Sequence, residues 1–191
     1  MTTLRTILRF GTGALIALAL TRVEAETTAP PPTVEELLSA IDFVPARSDL
    51  DPVMGSTPTQ ELIALANSAD EGVRVRAIRA LAQYPAPETR DALVALIQDP
   101  KASGGLRVVL RRAALEALAE IGTPDDVEII TPYLEVTNAP ERDLRAAAAH
   151  ALRVLGSTAA VPALRAQQRI EEEPQVLFAI TEALRKLLGG L

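Results

Sequence analysis

The chain has 191 residues, 48% of them hydrophobic but only 3% aromatic, with three Phe, two Tyr and no Trp, so its core has to be assembled from small and aliphatic side chains. Charged residues make up 23% and the formal net charge is −6, a balance that argues against a disordered or fully membrane-embedded chain. The absence of cysteine excludes disulfides, thiolate metal sites, a cysteine nucleophile and a lipidated cysteine, and a single histidine excludes most histidine-based metal centres.

Residues 1–25 read as a secretory signal peptide. Arg5 and Arg9 precede an apolar run from Phe10 to Leu20, and Val23, Glu24 and Ala25 lead to an expected cleavage after Ala25. The run is shorter than the roughly 20 residues that span a bilayer as a helix, so a retained membrane anchor is the weaker reading. Export to the periplasm or the exterior is expected, with no stable membrane insertion once the signal is gone. Removing three arginines and one glutamate moves the net charge from −6 to −8, which repels phosphate backbones and makes nucleic acid a poor partner.

Residues 26–33, with Pro30, Pro31 and Pro32, form a stiff spacer. Residues 34–55 are expected to hold a short capping helix and a loop. Thr33 and Glu36 have the spacing of a capping box, the apolar stripe is Val34, Leu37, Leu38 and Ile41, and Pro45 with the stretch 49–55 ends the element. A helix this short cannot stand alone, and its expected dock is the segment that follows.

From residue 56 to 191 the sequence repeats, with units near 56–85, 86–122, 123–156 and 157–189. Leu81, Leu118, Leu152 and Leu184 end corresponding segments and lie 37, 34 and 32 residues apart. Val73, Leu110, Leu144 and Val176 come eight residues earlier, and Ala77, Ala114, Ala148 and Ile180 come four earlier, which are helical intervals. Pro85, Gly122 and Gly156 mark boundaries, each followed eight residues later by an aliphatic residue, Leu93, Ile130 or Leu164. Each unit therefore holds two helices. Thr57-Pro58 and Thr123-Pro124 place a hydroxyl at the N-cap and proline at the first helical position. Gly122 and Gly156 are expected to close helices in the left-handed conformation, and Gly104-Gly105 to mark a turn. Pro162 falls harmlessly in a first turn, whereas Pro132 should bend or shorten its helix. One hairpin leaves an apolar flank wet, so neighbours must cover each other, and the alanine column lets their helices approach closely.

These residues resemble short bacterial HEAT-like repeats of the kind named after phycobilisome lyases, in which an acidic residue and an aliphatic-Arg pair precede alanines ending in Ala-Leu and a glycine. Asp70, Val73-Arg74 and Ala80-Leu81 fit that pattern, as do Glu141, Leu144-Arg145, Ala151-Leu152 and Gly156. The second unit keeps Leu110-Arg111 but has Arg107 in place of the carboxylate, and the fourth has Val176-Leu177 in place of the aliphatic-Arg pair. The resemblance implies an all-α, right-handed α-solenoid of about four helical hairpins behind a short capping helix. It says little about activity.

Several polar features are candidates for function. The column Arg74, Arg111 and Arg145 could form an anion-binding ladder, but the stronger reading is structural, with packed stems and guanidiniums paired to Asp70 and Glu141. A second column, Arg79, Glu116, His150 and Glu182, with the neighbouring Gln83, Glu120 and Lys186, forms a candidate protein-binding groove if second helices line the inside; the plain alternative is a solvated helix face. His150 has no accompanying nucleophile or metal ligand in the pattern. Asp125-Asp126 is explained by a positive helix N-terminus, and Glu171-Glu172-Glu173 lacks the spaced ligands of a calcium loop, so no metal or cofactor is expected. Arg107, Arg111 and Arg112 are a basic group without interleaved aromatics. Val176, Leu177, Phe178, Ile180, Leu184, Leu187 and Leu188 cover more than one face of the last helix. Either the tail through Leu191 folds over them or another chain does, a homodimer included.

The functional expectation is an exported, non-catalytic scaffold that binds another protein through its groove. The alternative is an accessory or lyase-like subunit acting on a protein-bound cofactor. The sequence has no Gly-x-Ser-x-Gly elbow, P-loop or paired histidines to support it.

Overall fold

A computed structural model of the chain describes residues 30–40, 45–99 and 105–189, without the side chains of 105 and 106. The chain divides into two units, Met1–Pro30 and Pro31–Leu191, and all the described helices belong to the second. The expected signal, Ile41, Gly104 and Leu191 lie outside the described residues.

The chain enters the second unit through a helix fixed by its own first turn. Helix α1 (Val34–Ser39) opens on the expected capping box: the Thr33 hydroxyl accepts from the Glu36 amide at 3.2 Å, and the Glu36 carboxylate accepts from the Thr33 amide at 2.7 Å. Six residues are too few to hold a helix, and α1 is retained by burying Val34 and Leu38 against α4 (Glu71–Leu81). Arg76 of α4 donates to the carbonyls of Leu38 and Ser39, satisfying the open end of α1.

The stretch expected as loop contains a further turn of helix, α2 (Arg47–Leu50), because Asp49 reaches back to the Ala46 amide at 2.8 Å and Leu50 is fully buried. Polar contacts bind this segment to the end of α4. Gln83 donates to the Pro45 carbonyl, Arg47 donates to the Gln83 carbonyl and lies 4.8 Å over the Tyr84 ring, and the Tyr84 hydroxyl donates to Asp51 at 2.8 Å. Burial and the Asp51 carboxylate push the Tyr84 hydroxyl up to about 12.

Beyond residue 56 the described residues form helices in pairs and no strand. Helix α3 (Pro58–Leu65) packs on α4, and α5 (Pro87–Gln98) on α6 (Gly105–Ile121). The next partner is broken into a 3-10 turn (Pro124–Asp126), α7 (Val127–Ile130) and a second 3-10 turn (Thr131–Leu134), of which α7 and the second turn pack on α8 (Arg142–Leu155). A 3-10 turn (Thr158–Ala160) and α9 (Val161–Gln168) precede α10 (Pro174–Leu187), on which α9 packs. The second helices α4, α6, α8 and α10 contact one another in succession.

The repeated columns form the seam between those helices. Ala77, Ala114, Ala148 and Ile180 are fully buried, as are Leu81, Leu118 and Leu152, and Leu93, Ile130 and Leu164 fill the same role on the first helices. A methyl group at Ala114 leaves room for the leucines of neighbouring helices to meet above and below it. Pro132 has the expected effect: α7 stops after four residues and the chain continues as a 3-10 turn.

Two details of the punctuation differ from expectation. Thr57 and Thr123 stand before their prolines, but neither hydroxyl caps its helix; at Thr123 the Asp126 carboxylate accepts from the Thr123 amide at 2.8 Å instead. Gly156 is left-handed, with φ +74°, whereas Gly122 is not among the positive-φ glycines and is required for close approach. A Cβ there would lie 2.6 Å from the Leu118 carbonyl oxygen, 2.9 Å from Asp126 and 3.1 Å from Leu155.

Two variants test this seam by thermal or urea unfolding. Ala114→Phe overfills it and is expected to lower stability by about 1–3 kcal/mol. An unchanged melting temperature would contradict the stacked arrangement. Gly122→Ala is expected to be destabilising, because the groups that meet its Cβ are backbone and a buried carboxylate; a neutral result would show that the approach is looser than these distances imply.

Candidate protein-binding groove

Helical periodicity that buries one stripe of each second helix leaves another stripe facing away from the first helices. Counting back from Leu81, Leu118, Leu152 and Leu184, the residue two positions earlier is Arg79, Glu116, His150 or Glu182, and the residue six positions earlier is Val75, Arg112, Ala146 or Phe178. On α6, α8 and α10 these rows border a depression of about 520 Å³ lined by Arg112, Glu116, Asp143, His150, Gln175 and Phe178, with Ala146, Ala147 and Ala179 at its floor. Small residues on α8 and α10 make the depression, and the longer side chains wall it.

Its charges are held in place by their neighbours. Arg112 and Glu116 pair at 2.9 Å across one helical turn, and the Arg153 guanidinium lies 3.2 Å from Nδ1 of His150. Further along α10, Glu182 and Arg185 pair at 2.6 Å, and the guanidinium holds the Glu182 carboxyl below the usual carboxylate range. Phe178 stands in the wall 70% exposed, so the most apolar surface of the groove belongs to an aromatic ring with no cover from the described residues.

The structure places the expected groove residues unevenly. Glu116 and His150 border the depression. Glu182 and Lys186 border a second, smaller one of about 340 Å³ with Arg153 and Arg185. Arg79 and Glu120 are exposed outside both, and Gln83 is committed to the Pro45 carbonyl. The groove reading did not include Arg112, Asp143, Gln175 or Phe178. Arg112 and Phe178 could have been found one turn before the identified column.

The arginine column is structural at its third member, but not through the expected partner. Arg145, 3% exposed, turns away from Glu141 and grips Glu171 of the following helix pair with two bonds of 2.9 Å, while also donating to the carbonyls of Ala139 and Pro140. Glu171 further accepts from Gln167 at 2.9 Å and from the Glu173 amide at 3.1 Å, and these donors, Arg145 first, hold its carboxyl down at about 2. The first carboxylate of the Glu171-Glu172-Glu173 run is thus part of a seam between helix pairs. Asp70 does not pair with Arg74 either, because its carboxylate caps α4 by accepting from the Val73 amide at 2.8 Å. Buried Nε atoms of Arg74 and Arg111 have no hydrogen-bond acceptor.

Register explains the difference. Glu171 lies thirteen residues before Leu184; the corresponding residues are Ala139 before Leu152 and Gly105 before Leu118. Only the arginine facing the last pair finds a carboxylate. Asp126 makes another link invisible to periodicity: fully buried, it accepts from Arg90 of α5 at 2.6 Å. Among the described residues no group of three or more His, Cys, Asp or Glu could hold a metal ion, and no helix is long and apolar enough to cross a membrane.

Because the Glu171 carboxyl titrates near 2 when folded and near 4.5 otherwise, its contribution is fully present above about pH 4.5 and is lost as pH falls through 2. Stability of the wild type should fall over that window, and Glu171→Gln should flatten the fall while lowering stability at neutral pH. An identical acid profile in the two proteins would refute this. Arg145→Ala strands a buried carboxylate and is expected to cost about 3–5 kcal/mol by urea unfolding.

A family model of HEAT repeats matches residues 59–142. The chain is also 33% identical over 119 residues, or 61% of its length, to Cullin-associated NEDD8-dissociated protein 2 of Mus musculus and to that of Rattus norvegicus. These stretches are 10% and 9% of the two relatives, so the chain spans about a tenth of the length of the curated relatives it matches. Residues 59–142 therefore form HEAT-like repeats, and the stacking of second helices that begins there with α4 and α6 continues through α8 and α10.

Proposed function

We propose that the chain is an exported scaffold without catalytic activity, a right-handed solenoid of four hairpins behind a capping helix, and that it binds another protein along the second-helix face. The observation that carries this reading is Phe178, 70% exposed in the wall of a polar depression. An aromatic ring surrounded by short-range ion pairs has the composition of a binding hot spot: the ring supplies burial, and the paired charges set register and reject mismatched partners. The names of the curated relatives describe association with other proteins, in the same direction as this reading. Export rests on residues 1–25 alone.

The alternative, a lyase-like subunit, would need a reactive group in the groove. The lone histidine there is joined to Arg153, and the carboxylates of Glu116 and Glu182 are each paired with an arginine. A contact between two copies through the exposed Phe178, early in α10, and Leu188, at its C-cap, competes for the same aromatic ring.

A photo-crosslinking amino acid placed at Phe178 or Glu116 should capture a defined protein from the exported fraction, while the same group at the exposed Glu88 of α5 should not. Equal capture from all three positions would remove the groove reading. Sedimentation of the full chain separates the copy-to-copy contact, since self-association that Phe178→Ser abolishes would make the occupant a second copy.

A further inference from the structure

The basic group at residues 107–112 is split by the fold. Arg112 turns into the groove and pairs with Glu116, whereas Arg107 and Arg111, one helical turn apart in the first part of α6, keep buried Nε atoms without acceptors. We propose that Arg107 and Arg111 form a binding site for an oxyanion, a carboxylate or phosphate group supplied from outside the chain.

The internal repeats show what such a site lacks. At the equivalent place in the next pair, Arg145 is satisfied by the two oxygens of Glu171. Arg111 is also buried, 6% exposed, yet the residue in register with Glu171 is Ala139. Its NH2 group donates to the Asp99 carbonyl at 2.6 Å and its guanidinium lies 5.6 Å from the Tyr133 ring, but neither supplies the two-oxygen acceptor that its fork geometry matches.

A second departure from the repeat falls in the same place. Eleven residues before the terminal leucines the other helix pairs carry Asp70, Glu141 and Glu173, whereas α6 carries Arg107. The first turn of α6 holds no acidic residue, so two guanidiniums add to the positive end of a seventeen-residue helix where the repeat elsewhere places a negative charge. Burial first, and then Arg107, disfavour the charge of Arg111, and the Asp99 and Glu141 carboxylates offset this only in part. An entering oxyanion would supply the missing acceptors and balance the helix end at once. The site is separate from the groove, so either can fail alone.

The test is thermal unfolding of the full chain in inorganic phosphate against chloride at constant ionic strength, for the wild type, Arg107→Met and Ala139→Glu. Ligand that binds only the folded state raises the melting temperature saturably, while the general effect of phosphate on burial acts on all three proteins alike. The wild type should show a saturable rise, Arg107→Met should need at least threefold more phosphate to reach half of it, and Ala139→Glu should lose it because an internal carboxylate now meets Arg111. Arg107 is only half-buried, so its variant is expected to fold if Ala139→Glu does not. A glutamate-rich peptide in place of phosphate identifies the source: half-saturation at a lower concentration than phosphate assigns the site to a polypeptide carboxylate, and the reverse to a free anion. Equal phosphate responses in the wild type and Arg107→Met, or no response in the wild type to either probe, overturn the proposal.

Discussion

Close contact between successive second helices is the constraint on which the rest of the protein depends. A two-helix hairpin orders some thirty residues, yet it can dry only one of its two flanks, so its apolar residues repay the lost backbone freedom only when the next hairpin covers them. The fully buried Ala77, Ala114 and Ala148 set that distance. They place α4, α6 and α8 near enough for leucines on either side to interdigitate, and the same spacing brings the opposite stripes of α6, α8 and α10 together as a walled groove. The groove is therefore a by-product of the seam: small residues on α8 and α10 form its floor, and side chains one turn away form its walls.

Polar groups refine what the apolar seam begins. Arg145 with Glu171, and Arg90 with Asp126, join neighbouring helix pairs through carboxylates that are almost wholly buried. Such pairs add little net stability over a well-packed apolar contact, but each fixes one geometry, since any sliding of one hairpin along another leaves a buried charge unpaired. Tyr84, Arg47 and Gln83 do the equivalent work at the N-terminal side, binding the short helix α2 to the end of α4. The repeat is thus uniform in its hydrocarbon and individual in its ions, and it is the individual part that distinguishes one seam from another.

This division explains what could be read in the sequence. Apolar columns recur at helical intervals, so helix pairing, the shortening at Pro132, the capping box at Thr33 and the left-handed Gly156 were all legible. Ion pairs between hairpins were not, because their partners lie 26 or 36 residues apart with no fixed spacing. Local spacing instead suggested Asp70 with Arg74 and Glu141 with Arg145, and failed because Asp70 satisfies its own helix terminus while Arg145 reaches across the seam. Helix α2 escaped notice because one turn held by Asp49 and one buried leucine leaves no periodic trace. Of the candidate groove, the row holding Glu116 and His150 was legible, while Phe178 was assigned to the apolar surface of the last helix and its place in the groove wall became clear only with the depth of the depression. Gly122 shows the same limit: its identity suggested a backbone conformation, and its actual role is steric.

Native-state hydrogen exchange in increasing urea tests the mutual dependence of the hairpins most directly. The amides of Leu81, Leu118 and Leu152 should converge on a common opening reaction whose urea dependence corresponds to exposure of several hairpins together. Separate opening free energies, each with the small urea dependence of a single helix pair, would contradict the account.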